Sequence, residues 1–477
     1  MRPPAPVRAA VVVAVILAVV IALAPSLQWS GTPLSLNDAR IAGRALLRGG
    51  ALAVAVAAIS SLLAWPVARA MPPLLLLAWA MVGPLPRALG VLALGLPPGS
   101  LAIVLAGVAG GVPWIALLLQ LRLRSIDGGL LDAARNLGAG PWQRWWRIEW
   151  PQARGTLGFG ALWIALQSSG DTATAEIAGG GKVYSAALLL RDAALVDDAP
   201  ALMAVLLLAL VATAAPVTYW VARRLPDLVL AADTSPRAVE PSAFARVAVV
   251  AIVVVVAALP LLAVLPQAAS PWSPSDASIA SRIDRSLGVA AAVLAIALPV
   301  GAAAAIGAPR AGRAAGWIAG AILLPLVIPP VVYGLAALDL ARWSGVAPGP
   351  VFTVLGTVPV GIALVFVATM IARPRVPPTL IEAAANLGAG PWMRARRVWL
   401  PRMGAAWAAA ALLVVAWCWS DAMIAPFTSG PGDSTVAVAM TLAARGADAH
   451  AAARWAWVQI GVTAAAVVGA TRLWGRR

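Results

Sequence analysis

The heptapeptide NLGAGPW occupies residues 136–142 and recurs unchanged at residues 386–392, an offset of 250. The match continues on both sides of the heptapeptide, and we call the two stretches the first repeat loop (130–151) and the second repeat loop (380–401). An identical sequence at such a distance indicates an internal duplication of the chain. The duplication sets the domain organisation, and the rest of the sequence is interpreted around it.

Each repeat loop is predicted to form a helix, a tight turn and a second helix. The residues before the heptapeptide are rich in Ala and Leu, which favour a helix. Gly138 and Gly388 follow where a helix can end in a left-handed residue, and Pro141 and Pro391 suit the first position of the next helix. The second helix is amphipathic and rich in Trp and Arg. We expect it to lie along the membrane interface and to turn into the next span at the proline that ends the loop.

The composition places the chain in a membrane. Of its 477 residues, 61% are hydrophobic and 11% are charged, and the mean hydropathy is +0.88. Apolar stretches of about 20 residues predict membrane-spanning helices, and the absence of strand-like alternation argues against a barrel. The fold class is therefore an all-α polytopic membrane protein with about twelve spans. They are expected near 8–25, 45–67, 72–92, 100–121, 157–176, 200–222, 244–266, 286–308, 315–338, 350–372, 404–424 and 452–471.

The spans divide into two halves of six, because each repeat loop falls between the fourth and the fifth span of its half. Both halves therefore have the same orientation, as parallel repeats. The first half is 1–230 with a core at 41–222, a cytoplasmic linker occupies 231–243, and the second half is 244–477 with a core at 285–471.

The charge distribution sets the orientation and excludes other classes. The net charge is +16, yet the arginines cluster between apolar spans, six of them in 122–154 and six in 373–402. That pattern indicates cytoplasmic loops rather than nucleic-acid binding. A single cysteine (Cys418) and a single histidine (His450) leave no cysteine or histidine metal site and no intrachain disulfide. The sequence also lacks the G-x-x-x-x-G-K-[ST] phosphate-binding loop of an ATPase, so we expect no cofactor in this chain.

The repeat loops resemble the EAA motif of permease subunits of ABC importers. The motif runs from an acid-Ala-Ala triplet through a glycine to an aliphatic residue and Leu-Pro. The second loop follows it throughout, whereas the first has Asp for Glu and Trp for Leu. The matching residues, which the resemblance implicates in coupling to an ATPase, are Asp132, Ala133, Ala134, Gly138, Glu382, Ala383, Ala384 and Gly388.

The resemblance implies a complete functional scheme. The chain would be a fused two-half permease of the type I ABC importer fold, in a bacterial inner membrane, most like the permeases for ferric iron and thiamine. Two separate ATPase subunits, expected to be a homodimer, would bind the loops and hydrolyse ATP, so the chain itself would not be an enzyme. A periplasmic solute-binding protein would deliver the substrate. An alternative reading of the acids is that Asp132 and Glu382 merely cap their helices.

Two further features concern the path of the substrate. Asp171 and Asp421 share the 250-residue offset near the outer ends of spans five and eleven, and we hypothesise that they line a gate favouring a cationic or metal-bearing substrate. The alternative is that both mark solvated span ends. Proline-rich breaks at 83–86 and 324–330 either line the path or are packing kinks.

The main competing function is an ion-coupled secondary transporter with twelve spans. That class also has two halves of six spans. Its signature loop with an Asp-Arg pair is absent from 66–73, and it has no reason to repeat a docking helix after the fourth span.

Overall fold

The structure is a computed structural model. It describes residues 35–124, 126–195, 206, 209, 243–269, 271, 279–308, 313–373, 376–430, 434–446 and 448–474. The expected spans at 8–25 and 200–222 and the linker at 231–243 lie outside these ranges, apart from residues 206, 209 and 243. Over the described ranges the regular structure is entirely helical.

The first half contains nine described α-helices. They are α1 (Leu36–Ala70), α2 (Pro73–Ala80), α3 (Pro84–Ala93), α4 (Ser100–Arg124), α5 (Gly128–Asn136), α6 (Pro141–Arg144), α7 (Trp150–Ser169), α8 (Thr172–Ile177) and α9 (Ala186–Leu195). A π-helical turn, Trp145–Glu149, joins α6 to α7.

The second half repeats this order. Its described helices are α10 (Ala243–Val253), α11 (Leu259–Ala263), α12 (Leu265–Ala268), α13 (Ile279–Gly307), α14 (Arg313–Val327), α15 (Pro330–Ser344), α16 (Pro350–Ala372), α17 (Pro378–Asn386), α18 (Pro391–Arg394), α19 (Leu400–Trp419), α20 (Ala425–Thr428), α21 (Val436–Arg445) and α22 (Ala449–Trp474). π-Helical turns occur at Val254–Ala258, between α10 and α11, and at Ala395–Trp399, between α18 and α19.

Seven helical stretches within the described ranges are long and apolar enough to cross a membrane, and an eighth is the pair α14–α15, bent by 91°. The all-helical, polytopic fold class is therefore confirmed, whereas the count of twelve spans is not. The expected span at 72–92 is split into the short helices α2 and α3. Each half thus has a broken third span.

The break between α14 and α15 is bridged by side chains from the other half. Pro330 has no N–H, so the carbonyl of Leu326 cannot accept its regular helical hydrogen bond. The indole Nε1 of Trp163 donates to that carbonyl over 2.8 Å, and Nε2 of Gln167 donates over 2.6 Å. The first half therefore holds the broken helix of the second half in place.

Small residues let the long helices approach closely. Gly107 on α4 faces the side chain of Val56 on α1, and Gly301 on α13 faces the backbone of Ile362 on α16. A Cβ atom at either glycine would lie under 3.0 Å from its neighbour. Such contacts are typical of helices packed in membranes, where close approach gives dispersion contacts and lipid exclusion. These pairs form the bundle that positions the site.

Candidate functional site

The turn of each repeat loop has the expected glycine geometry. Gly138 has φ +79° and Gly388 has φ +78°, both in the left-handed region. Ala139 N–H donates to the carbonyl of Ala134, and Gly138 N–H donates to that of Arg135, which is the Schellman pattern of helix termination. The second loop repeats both hydrogen bonds at 384–389.

The acids of the motif do not cap their helices. Helix α5 begins at Gly128, and the Asp127 carboxylate accepts a hydrogen bond from Gly129 N–H at that end. Helix α17 begins at Pro378 and has no side-chain cap. Asp132 and Glu382 are each the fifth helical residue, and the Glu382 side chain is exposed. The capping alternative is therefore wrong, and docking of the carboxylates stays a prediction.

The sequence predicted that the second helix of each loop turns into the next span at its proline. The structure shows no such turn. Helices α6 and α7 run on through the π-helical turn, in which Trp150 N–H donates to the carbonyl of Trp145, five residues back. Leu400 donates to Ala395 in the same way. The wider turn lets the helix pass Pro151 and Pro401 without a break, because π-turns accommodate a position that cannot make the regular bond. The second helix of each loop is thus continuous with the span that follows it.

Large apolar side chains are exposed at matched positions of the two loops. Leu137 and Leu387 are each 88% exposed, Trp142 is 71% exposed and Trp392 is 78% exposed. We call these four residues the coupling surface. Exposed apolar side chains of this size, presented together on a tight turn, make the four residues a candidate interaction surface. The surface lies on the side of the arginine-rich loops.

The two loops are fastened to the bundle differently. In the first loop, Trp145 packs against Trp65 of α1 with ring centroids 5.7 Å apart, and Glu149 forms an ion pair with Arg69 at the end of α1. The positions equivalent to Trp145 and Glu149 are Ala395 and Trp399. Trp399 is buried in an apolar cluster with Met403. The aromatic and ionic contact of the first loop is therefore replaced by apolar packing in the second.

A cavity of about 130 Å³ lies between the halves, at the two breaks. The broken third span of the first half contributes Gly83, Pro84 and Arg87, and that of the second half contributes Pro330. The remaining lining includes Met81, Gly110, Trp114, Trp163, Gln167, Ser168, Asp171, Trp417, Ser420, Asp421 and Met423. Both proline-rich breaks thus line one cavity, which favours the path interpretation over a packing kink.

The structure brings Asp171 and Asp421 to this same cavity, where the Asp171 carboxylate caps α8 and the Asp421 carboxylate binds backbone N–H groups of the turn that leads into α20. Asp171 accepts hydrogen bonds from Thr174 N–H over 2.9 Å and from the Thr174 hydroxyl over 2.6 Å. Asp421 is 8% exposed and accepts from the N–H groups of Met423, Ile424 and Ala425. Because Asp421 is buried, it does not mark a solvated span end. The cation-selective gate stays a prediction.

Sequence reasoning missed Arg87, which lines the cavity beside these carboxylates. Its Nε donates to the carbonyl of Gly83 over 3.0 Å, and its guanidinium lies against Gly110, where a Cβ atom would collide with it. An arginine inside an expected span is itself a signal, because ionisable groups at membrane depth face a bundle interior or a wet cavity. That signal was available at Arg87.

An ion-pair cluster joins the halves above the cavity. Glu176 follows α7 in the first half and accepts from Arg191 Nη1 over 2.5 Å. It also accepts from Arg445 of the second half, whose Nε lies 2.6 Å from Oε1. Burial lowers the pKa of Arg191, but the carboxylates of Glu176 and Asp192 outweigh burial and leave that pKa raised. We call Glu176, Arg191 and Arg445 the outer clasp.

Comparison with known proteins relates the first half to a known family. The family model described as "Binding-protein-dependent transport system inner membrane component" matches residues 10–225. The spermidine/putrescine transport system permease protein PotB of Haemophilus influenzae is 29% identical over 97 residues, which cover 20% of this chain and 34% of that protein. The match thus spans about a third of the length of this relative. Residues 10–225 therefore resemble the family of binding-protein-dependent transport system inner membrane components, and the chain is a multi-pass inner membrane protein.

Proposed function

We propose that this chain is the translocating subunit of an ATP-binding-cassette importer. The observation that carries the proposal is the coupling surface, a pair of exposed Leu and Trp residues presented twice on rigid helices 250 residues apart. Two equivalent docking elements on one chain fit two copies of an ATPase subunit. The family description implies a transport system with a binding protein, and its permease component is not itself the ATPase.

We further propose that the second half, 244–477, is a second copy of the same domain. The Schellman turns, the π-helical turns and the broken third spans all recur in it. The substrate path would then run between the halves, through the cavity that both breaks line. An ion-coupled transporter offers no use for the duplicated coupling surface.

The comparisons give no support to ferric iron or thiamine as the substrate. The name of the relative refers to spermidine and putrescine, and its match covers a third of that protein. We therefore propose an importer whose choice of substrate rests mainly with a periplasmic binding protein. The cavity is small, so in this conformation it holds only a small solute or part of one.

Capture of ATPase subunits tests the proposal. The tagged chain is purified from its native membranes with its partners, as wild type and as the double variant Trp142→Glu/Trp392→Glu. Charged groups at the centre of an apolar interface remove its anchors, so we expect the yield of bound ATPase to fall at least about tenfold. Trp343, which is 82% exposed at the end of α15, supplies the matched control Trp343→Glu.

The control variant should keep the wild-type yield of ATPase. A double variant that captures ATPase normally, or a wild-type chain that captures none, contradicts the proposal. Sidedness is checked by placing single cysteines at 142 and 343 in a Cys418→Ser background and labelling spheroplasts with an impermeant thiol reagent. We expect labelling at 343 and none at 142.

A further inference from the structure

Three arginines form an exposed stripe at the outer end of α1. Arg40, Arg44 and Arg48 are four residues apart, so they lie on one side of the helix. All three are exposed, and none makes a hydrogen bond or ion pair with any residue that the structure describes. Like charges at this spacing destabilise a helix. In the orientation predicted from the arginine distribution, the stripe also stands on the outer side, where positive charge is not expected.

The depth of the stripe follows from the length of the helix. Helix α1 has 35 residues, about 52 Å at 1.5 Å per residue, against a hydrocarbon core of about 30 Å. The ion pair of Arg69 with Glu149 marks the inner end. Counting about 20 residues outward from Arg69 places Arg48 at the outer edge of the hydrocarbon. Arg44 lies about 6 Å further out, at the level of the lipid headgroups.

The stripe faces away from the part of the bundle that the structure describes. Ala42, Ala45 and Gly49 are buried on the opposite side of α1. Gly49 lies against Ala186, the first residue of α9, and against Ser185, which precedes it. Leu62 is 18 residues after Arg44, five full turns of helix, so the two share one side. Leu62 is 76% exposed. The arginine stripe is therefore the outer continuation of a lipid-facing apolar surface.

A second element converges on the stripe. The loop after α8 turns through Gly180 and Gly181, at φ +56° and +72°, and carries Lys182 and Tyr184 to the same place. Lys182 and Tyr184 line an open cavity of about 570 Å³ together with Arg44 and Arg48. Ile41 and Leu189 add apolar walls, and Asp192, which pairs with Arg191, is the acidic residue of the lining. We call Arg40, Arg44, Arg48 and Lys182 the outer basic cluster.

We propose that the outer basic cluster binds the phosphate headgroup of an anionic phospholipid in the outer leaflet of the inner membrane. Guanidinium groups bind phosphate oxygens in a forked geometry, and Lys182 adds a point charge. Tyr184 is typical of the interface, where its ring packs on lipid and its hydroxyl stays wet. Acyl chains would continue over the apolar side of α1 toward Leu62. The direction of the stripe, toward the bilayer, favours lipid over an acidic protein domain.

Lipid retention tests the proposal independently of transport. The full chain is purified in detergent, supplied with palmitoyl-oleoyl phosphatidylglycerol or phosphatidylcholine, and its bound lipid is measured by native mass spectrometry. We expect the wild type to retain phosphatidylglycerol preferentially. The variant Arg40→Gln/Arg44→Gln/Arg48→Gln should lose that preference, by about fivefold for each arginine and on the order of 100-fold together.

The control is Arg246→Gln, which removes an exposed arginine near the start of α10 and should leave the preference unchanged. Single Gln variants and thermal unfolding in phosphatidylcholine show whether the triple variant is folded. A folded triple variant that retains phosphatidylglycerol like the wild type overturns the proposal. Displacement of the lipid by excess inorganic phosphate, or equal retention of the two lipids by the wild type, also overturns it. Loss of uptake with normal lipid retention would bear on the importer function alone.

Discussion

The conformation of single glycines determines the geometry of both repeat loops. Gly138 and Gly388 are left-handed and adjoin open space, so a side chain there would meet no neighbour and would strain only the backbone. Two residues later, Gly140 and Gly390 have φ near −63° and are equally open. Each loop therefore contains a sensitive glycine and a matched insensitive one.

Gly138→Val should abolish ATP-driven uptake while Gly140→Val leaves it near the wild-type level. A β-branched residue in the left-handed region costs at least about 1–2 kcal/mol, and relief of that strain would swing the docking helix away from its partner. Uptake into membrane vesicles at equal amounts of inserted chain is the measurement. Equal activity of the two variants would show that the turn is not critical. The pair Gly388→Val and Gly390→Val repeats the comparison in the second half.

Local chemistry made the repeat loops predictable, and contacts between distant segments made the rest unpredictable. The glycine and proline positions of 136–142 determine helix ends through local sterics, and both left-handed glycines occur where expected. The π-helical turn at 145–149 has no comparable local signal, because a proline such as Pro151 more often ends a helix than widens one. Pairing of Glu176 with Arg445 depends on how the halves pack, and sequence spacing carries no information about it.

The bridge across the α14–α15 break predicts strongly non-additive substitutions. The Leu326 carbonyl accepts from both Trp163 and Gln167, so either donor alone keeps it satisfied. Trp163→Phe and Gln167→Leu should each lower stability slightly. The double variant leaves a partly buried carbonyl unpaired and should cost about 1 kcal/mol beyond the sum. Thermal unfolding of the four purified proteins measures this coupling, and simple additivity would contradict the bridging role.

Close packing at the other side of this break gives a second, steric prediction. Gly170 ends α7 against Pro329, and an added Cβ atom would collide with the proline ring. Gly170→Ala should therefore lower the unfolding temperature, even though alanine is the better helix former. Gly158→Ala is the control, since that glycine lies within α7 and has no neighbour within 4 Å of the added atom. A stabilised Gly170→Ala variant would show that the two elements separate easily.

In the whole molecule, the outer clasp ties the two halves together by an ion pair. Arg445 contacts Glu176 through two nitrogens, at 2.6 and 2.9 Å, across 269 residues of sequence. In this structure the clasp is formed. Under the importer proposal, the clasp must break once in each transport cycle.

Crosslinking across the clasp should therefore stop transport. In a Cys418→Ser background, Glu176→Cys/Arg445→Cys treated with a flexible, cleavable thiol crosslinker is expected to lose uptake and to regain it on reduction. The single-cysteine variants carry the same substitutions without the link and supply the control. Full uptake by the crosslinked double variant would mean that the halves do not part at this point.

The matched π-helical turns also bear on the history of the chain. A turn that closes over five residues holds one residue more than a regular turn, so each marks a single-residue insertion relative to an ideal helix. The two turns, Trp145–Glu149 and Ala395–Trp399, differ at four of their five residues yet occupy identical places at the offset of 250. An insertion made twice would rarely choose the same place. The simplest history is that the extra residue predates the duplication and that the four sequence differences between the two turns arose after the halves became separate copies.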